Sequence, residues 1–299
     1  MIVTSNFAKA LWPGVNKFWG MEYNEFPVEW DKIFSKESSR KAWEEDVSTA
    51  GLGLAQVVGE GGSVVYQDMQ QGWVDRYTHL TYKLGFTISE EMVEDDLHDV
   101  VSKRKSGALA FSMRQTKEIV AANILNRAFN TSYTYGDGVE LCSSAHPYIK
   151  GGTWANELAV ASDLSEAALE QAVIDIGKYQ DEAGLKIAVR PQTLIVPVDV
   201  MFDADKIMMT EYEVGTDNNT KNVVRSKFPG GVVVNHYLTD TDAWFIKTDA
   251  KDGLKLFQRR EDRFGMDGDF DTDNAKFKGS MRFSVGCTDK RGIFGSEGA

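Results

Sequence analysis

Residues 106–129, SGALAFSMRQTKEIVAANILNRAF, form the longest stretch of the sequence with an uninterrupted helical pattern. Apolar positions recur at steps of three and four and so share one helix face: Leu109, Met113, Thr116, Val120, Ile124 and Ala128. Arg114, Lys117 and Arg127 are predicted to lie off this face. At about 1.5 Å per residue the helix would be roughly 36 Å long. An ordinary core helix has the same pattern, so the flanking segments decide the fold.

A glycine-rich extended segment, residues 47–89, precedes this helix. Its GEGG sequence, Gly59–Gly62, predicts a turn between two extended limbs. The limb Val47–Val58 would reach about 40 Å at roughly 3.3 Å per residue, which rivals the width of a domain whose radius of gyration is about 19 Å. A two-stranded ribbon is marginally stable by itself in water. We therefore expect the ribbon to lie over another copy of the molecule.

The composition is that of a folded, acidic protein. The 299 residues are 42% hydrophobic, and 45 acidic against 33 basic residues give a formal net charge of -12. Such a charge disfavours nucleic-acid binding. No apolar run is long enough to cross a membrane, and the first residues lack the features of a secretory signal, so a cytoplasm-like setting is expected. Cys142 and Cys287 are predicted to be free thiols.

The first 48 residues are rich in aromatic side chains, among them Trp12, Trp19 and Trp30. Their weak periodicity predicts short helices only, at residues 5–12 and at Ser38–Glu45. So many large apolar side chains on one arm indicate that it packs along something else. A neighbouring subunit and the chain's own domain are both open as that surface.

After the long helix, strands and helices alternate without a repeat, which predicts an α+β fold. Helices are expected at Asp163–Ala183 (ending at Gly184) and Met201–Met209, and a polar surface loop at 211–227 contains Asp217, Asn218 and Asn219. Strands are expected at these places: residues 80–88, Thr193–Val198, Val232–His236, Trp244–Lys247, Leu254–Arg259 and 277–285. The chain is expected to end in a glycine-rich loop.

The best candidate for a metal site is Asp267, Asp269, Asp271 and Asp273, at alternate positions. A calcium loop of the EF-hand type needs Gly at its sixth position and Glu at its twelfth, where this sequence has Thr272 and Lys278. A turn with aspartates bonding the backbone is the favoured interpretation.

The histidines do not improve the case for catalysis. His79, His98, His146 and His236 lack metal-binding spacing. Ser144 and His146 can be combined with an Asp into a triad only on paper, because Ser144 lies outside a GxSxG sequence. His146, beside Pro147, is expected to be held by backbone hydrogen bonds. We predict that the protein is not an enzyme and binds no metal or cofactor.

Three stretches resemble the major capsid proteins of tailed phages, and within them the Mu-type major head subunit. They are LTYKLGFTISEEMVEDD (80–96), GDGVELCSSAHP (136–147) and DGDFDTDNAKFKGSMRF (267–283). The resemblance covers nearly the whole chain and implies the Hong Kong 97-type fold. It divides the chain into an N-terminal arm (1–48), an extended loop (49–88), a peripheral domain with a spine helix (89–160), an axial domain (161–253) and a return to the peripheral domain (254–299).

The function implied by this resemblance is self-assembly into hexamers and pentamers of an icosahedral shell, built in the host cytoplasm, that encloses DNA without reading its sequence. Scaffolding (as a separate chain), portal and decoration proteins are the implied partners. Assembly contacts are expected at Gly59, Glu60, Gly61 and Gly62, at Trp12, Trp19 and Trp30, and at Asp217, Asn218 and Asn219. Because residues 47–82 contain no lysine, we predict no covalent cross-link from the extended loop.

Two other functions fit the sequence less well. A decoration or tail protein would share the acidic, aromatic-rich composition but would not need a long helix beside a long ribbon. A metal-dependent enzyme would use Asp267–Asp273 and would need further ligands around a closed pocket.

Overall fold

The computed structural model describes residues 19–20, 27–89, 91–92, 98–212, 221–268 and 274–299. Its helices are α1 (Trp30–Ile33), α2 (His98–Asn126), α3 (Glu166–Ile176) and α4 (Met201–Met209). Its strands are β1 (Ser35–Ser38), β2 (Trp43–Ala50), β3 (Gln70–Thr78), β4 (Leu80–Ile88), β5 (His146–Pro147), β6 (Thr153–Trp154), β7 (Pro191–Val196), β8 (Val232–Val234), β9 (Trp244–Thr248), β10 (Leu254–Gly268), β11 (Ala275–Cys287) and β12 (Ile293–Ser296).

Helix α2 spans 29 residues, or about 43 Å at 1.5 Å per residue. It joins the predicted helix to the helical pattern that precedes Ser106, and it ends at Asn126, three residues before the predicted end. Gly107 lies inside it without a break, because one glycine costs a helix only about 1 kcal/mol relative to alanine. Among the described residues, no helix is long and apolar enough to span a membrane.

The buried face of α2 differs from the predicted one. Leu109 and Met113 are buried as expected, but Arg114 and Lys117, predicted to lie off this face, are buried too. The ammonium group of Lys117 donates a hydrogen bond to Gln258 Oε1 (2.7 Å) and lies 4.8 Å from the centre of the Trp30 ring. A long basic side chain can pack its aliphatic stem and still satisfy its charge. The polarity of lysine predicted Lys117 on the exposed side of the helix, and this made the predicted buried face of α2 too narrow.

The first sheet has the strand order β1-β10-β11-β4, with β1 parallel to β10 and the other pairs antiparallel. Helix α2 crosses one face of this sheet and shares a hydrophobic core with it. Leu125 of α2, Leu256 of β10 and Met281 and Phe283 of β11 belong to that core. The extended segment, residues 47–89, is joined to this sheet through β4.

The second sheet has the order β12-β9-β7-β8 and packs with α3 and α4 around its own core. Leu169, Leu194, Trp244 and Phe294 are fully buried there. The end of the chain was predicted to be a glycine-rich loop in the segment returning to the first layer. Instead β12 pairs with β9 in the second sheet, where Phe294 packs in this core and Ile293, on the other face, packs in the core of the first sheet.

Two helix predictions are wrong. Residues 38–45 include parts of β1 and β2 rather than a helix, since each strand pairs with a distant partner, β10 and β3. Helix α3 ends at Ile176, not before Gly184. Gly184 has φ = 82° and closes a later turn, in which its amide donates to Asp181 O (3.0 Å).

Candidate assembly surface

Residues 43–78, here called the strap, form a hairpin that is paired only at its base. Strands β2 and β3 pair antiparallel from Trp43↔Thr78 to Ala50↔Gln70. Beyond them, residues 51–69, the strap tip, contain no strand. The predicted turn is confirmed: the Gly62 amide donates to Gly59 O (2.9 Å), and Gly61 has φ = 77°, a conformation that glycine adopts without strain. The observed two-stranded ribbon is therefore shorter than the predicted one. Strand β4, which was predicted as part of the extended loop, belongs to the first sheet.

The strap tip exposes an unusual concentration of apolar side chains. Leu54, Val57 and Tyr66 have 75%, 104% and 91% of their surface exposed. The exposed apolar residues of the tip are Leu52, Leu54, Val57, Val58, Val64, Val65, Tyr66 and Met69. The charged residues of the tip are Glu60 and Asp68 alone. Such a concentration of exposed apolar side chains is typical of a site of protein–protein contact.

The base of the strap is fixed to the body by buried charges. Asp75 of β3 accepts a hydrogen bond from Lys290 Nζ (2.7 Å), and both side chains are buried. Asp46 of β2 accepts from Lys255 Nζ (2.8 Å) and Thr288 Oγ1 (2.7 Å). Burial would raise the pKa of Asp46, but these two hydrogen bonds outweigh it and lower that pKa. The strap thus has a rigid base and a tip that its own chain leaves exposed.

Comparison with known proteins identifies this architecture. A family model described as phage capsid protein matches residues 74–295, which is most of the chain. The chain belongs to the phage capsid protein family. It is a phage capsid protein. No curated protein matches it in sequence.

Solved capsid structures share the fold of this capsid protein at low identity. The capsid of the cyanophage P-SCSP1u is 10% identical, with a TM-score of 0.56 over 91% of this chain and 88% of that one. The capsid of an empty GTA particle is 11% identical, with a TM-score of 0.52 over 91% and 90%. The procapsid of bacteriophage JBD30 is 12% identical, with a TM-score of 0.50 over 98% and 76%.

The tryptophans expected at assembly contacts pack in the capsid protein's own core where they are described. Trp19 stacks on Phe264 with ring centres 5.0 Å apart, and Trp30 is buried. The amide of Trp30 donates to Glu118 Oε2 (3.0 Å), a carboxylate of α2 whose pKa is raised by burial. Trp12, Asp217, Asn218 and Asn219 lie outside the described residues. Gly59 to Gly62 is the expected contact site that the structure leaves exposed.

The 136–147 motif of the capsid protein is held by side-chain hydrogen bonds and packs against the base of the strap. His146 is buried, with Nδ1 2.7 Å from Asp137 Oδ2 and Nε2 3.0 Å from Asn156 Oδ1. Side chains therefore hold this histidine, not the backbone bonds predicted. Neither ring nitrogen bonds to Ser144, so Ser144, His146 and an aspartate do not form a catalytic triad. Gly136 lies so close to β3 that an added Cβ would be 2.6 Å from Val74 O, and its amide donates to Asp75 Oδ1 (2.8 Å).

The aspartate series is only partly described. Asp267 lies near the end of β10, whereas Asp269, Asp271 and Asp273 lie outside the described residues. Within the described ranges, no group of three or more His, Cys, Asp or Glu side chains is arranged to hold a metal ion. Cys142 and Cys287 are free and buried, and burial raises the pKa of both thiols.

Proposed function

We propose that this capsid protein is the major head subunit of a tailed phage, of the Mu-like type and with the Hong Kong 97-type fold. Its hexamers and pentamers would build the shell around the DNA genome. The observation that carries the proposal is the strap, whose base is held by a buried ion pair and a half-buried one while its tip exposes eight apolar side chains. A subunit that folds alone has no use for such a tip.

The energetics of the tip favour a neighbouring copy as its partner. Fully burying a large aliphatic side chain contributes about 1.5–3 kcal/mol, so eight contribute on the order of 10–20 kcal/mol. Ordering the backbone costs about 1–2 kcal/mol for each residue, and a tip that stays exposed to water has no burial of apolar surface to offset that cost. The tip is therefore stable in one conformation only where a partner surface buries it. In a shell, every subunit offers that surface to the next.

We propose the following division of the chain: arm 1–48, extended loop 49–88, peripheral domain 89–160, axial domain 161–253 and peripheral return 254–299. Two strands do not follow these boundaries. The strap begins with β2 inside the arm, and β12 joins the axial sheet although it lies in the return segment. The core that the second sheet forms with α3 and α4 supports the axial domain as a unit, while Ile195 and Phe245 on the other face of that sheet pack in the core of α2 and the first sheet.

The proposed partners follow from charge and from the absence of lysine. A net charge of -12 supports a wall that encloses DNA without binding it specifically. We propose that scaffold, portal and decoration proteins are separate chains, that assembly takes place in the host cytoplasm, that the subunit catalyses no reaction, and that its loop forms no covalent cross-link. A stoichiometric metal ion in the purified protein would favour the alternative of an enzyme based on Asp267–Asp273.

Expression of the chain alone and with its scaffold, followed by electron microscopy, tests the proposal. We expect closed shells or hexamers from the wild type. Deletion of Gly59–Ser63 should leave the subunit soluble and folded but abolish shells, because the tip then cannot reach its neighbour. Ser63→Gly, which preserves the length and the four residues Gly59 to Gly62, is the matched control and should still give shells. Normal shells from the deletion would reject the role of the strap.

A further inference from the structure

The strap is joined to the first sheet at two places. His79 is the single residue between β3 and β4, and residues 39–42 lie between β1 and β2. The side chain of His79 is buried, with 4% of the residue's surface exposed. Any change in the angle between the strap and the sheet therefore has to be absorbed by the backbone of these two short connections.

The His79 ring is bonded to one of these connections and to the sheet. Its Nε2 lies 3.0 Å from Ser39 Oγ, and its Nδ1 lies 2.9 Å from Ser284 Oγ on β11. Ser39 Oγ donates its own proton to Glu44 Oε1 (2.7 Å), so towards the ring it can only accept. Nε2 therefore carries the ring proton, and Nδ1 accepts from the Ser284 hydroxyl. We call these four residues the hinge network, and it is complete with a neutral ring.

The charges around the ring oppose a second proton. Arg282 of β11 donates from Nε to the His79 carbonyl (3.2 Å), and Arg259 of β10 donates to Lys41 O (2.8 Å) beside the ring. Glu44 of β2 is the carboxylate that faces the ring, and its charge is shared with Lys41 Nζ (3.0 Å). Burial lowers the pKa of His79, and the two arginines lower it further against the opposing effect of Glu44.

A protonated ring fits the hinge network less well than a neutral one. Its Nδ1–H would point at the hydroxyl of Ser284, which would have to turn its own proton away before it could accept. An imidazolium close to two guanidinium groups also gains free energy by moving into water. Acid therefore favours conformations in which the His79 ring has left this site.

We propose that His79 is a pH-sensitive latch: the neutral ring holds the base of the strap against the first sheet, and mild acid releases it. Histidine suits this role because its charge changes between pH 5 and pH 8. Once released, the tip has no fixed direction from the body. The consequence for assembly rests on the proposed function, since each strap in a shell has to reach its neighbour in one direction. The release itself is a property of the single subunit.

Amide hydrogen exchange of unassembled wild-type subunits at pH 7 and pH 5 tests the latch. A released, exposed histidine has a pKa of about 6.5, and the latched ring a lower one, so the stabilisation is present above pH 6.5 and is lost as the pH falls below it. These values allow release to become at most roughly 25-fold more favourable at pH 5. We expect the protection of residues 70–78, corrected for intrinsic rates, to fall by about 5- to 25-fold, while α2 keeps its protection.

Two variants separate His79 from the other titrating groups. His79→Gln has an amide that can still donate to Ser39 but does not titrate, so it should remove the pH dependence. His236→Gln is the matched control at an exposed histidine and should open in acid as the wild type does. Equal protection of residues 70–78 at both pH values would overturn the latch. A His79→Gln subunit that still opens in acid would overturn it too.

Nuclear magnetic resonance of the labelled His79 ring in the wild type is a second test, which needs no variant to fold. We expect the Nε2–H tautomer at pH 7 and protonation only together with the loss of protection in β3. A ring that gains its second proton while β3 stays protected would contradict the proposal. Neither experiment requires assembly, so a wild-type chain that forms no shells or hexamers at pH 7 would reject the proposed function and not the latch.

Discussion

Replacing Lys290 by alanine should detach the strap from the body. Lys290 Nζ lies 2.7 Å from Asp75 Oδ2, with both side chains buried, and it also lies 5.1 Å from the centre of the Tyr135 ring. Removing one partner of a buried ion pair costs about 3–5 kcal/mol, because the other charge stays buried without compensation. The Gly136 amide, which donates to Asp75 Oδ1, offsets part of this cost. We expect a loss of about 3 kcal/mol in the free energy of unfolding.

Urea unfolding of the unassembled subunit measures this loss, and amide hydrogen exchange locates it. Residues 70–78 of β3 should lose protection more than α2 does, because the strap opens before the rest of the fold. Lys178→Ala is the control: its exposed pair with Asp175 (2.9 Å) should contribute no more than about 0.5 kcal/mol. A Lys290→Ala subunit as stable as this control would refute the idea that buried charges hold the strap.

Three further predictions concern the same region. The pKa of Asp46 is lowered in the folded protein, so its ionised form stabilises the fold above the unfolded pKa of about 3.9, and this stabilisation is lost as the pH falls through the folded pKa. The difference in unfolding free energy between wild type and Asp46→Asn should therefore shrink from pH 7 to pH 3. A difference that stays constant over this range would contradict the prediction. Gly286→Ala should destabilise the subunit by about 1–3 kcal/mol, because the new Cβ would lie 2.7 Å from Tyr77 Cε1. Gly268→Ala is the control and should be tolerated, because its Cβ would lie in open space. Denaturing gels of purified particles should show single subunits without ladders, since residues 47–82 contain no lysine.

Local patterns predicted much of the framework. Helix α4 lies at the predicted residues, and the predicted strands at 80–88, 232–236, 244–247 and 277–285 all correspond to observed strands. Such elements can be predicted because the periodicity of a few neighbouring residues indicates them. The same is true of the Gly59–Gly62 turn, whose glycines are needed for its backbone conformation. The coarse assignment of the chain as a capsid protein is confirmed by the family match.

Features that depend on distant residues were missed. β1 is a strand because Ser35–Ser38 pairs with residues 255–258, and no local signal reveals this. The anchor of the strap joins Asp75 to Lys290, residues 215 positions apart. The burial of Lys117 required Trp30 and Gln258 to converge on it. Trp19 and Trp30 were expected at subunit contacts because composition alone cannot show which surface an aromatic side chain covers.

The position of the strap tip in an assembled particle tests the central claim most directly. Cryo-electron microscopy of shells formed by the wild-type chain, at a resolution that traces the backbone, would show residues 51–69 of every subunit. We predict that this tip lies against a neighbouring subunit, with its apolar side chains buried there. A tip folded back against its own subunit, or left in solvent in a closed shell, would contradict the account.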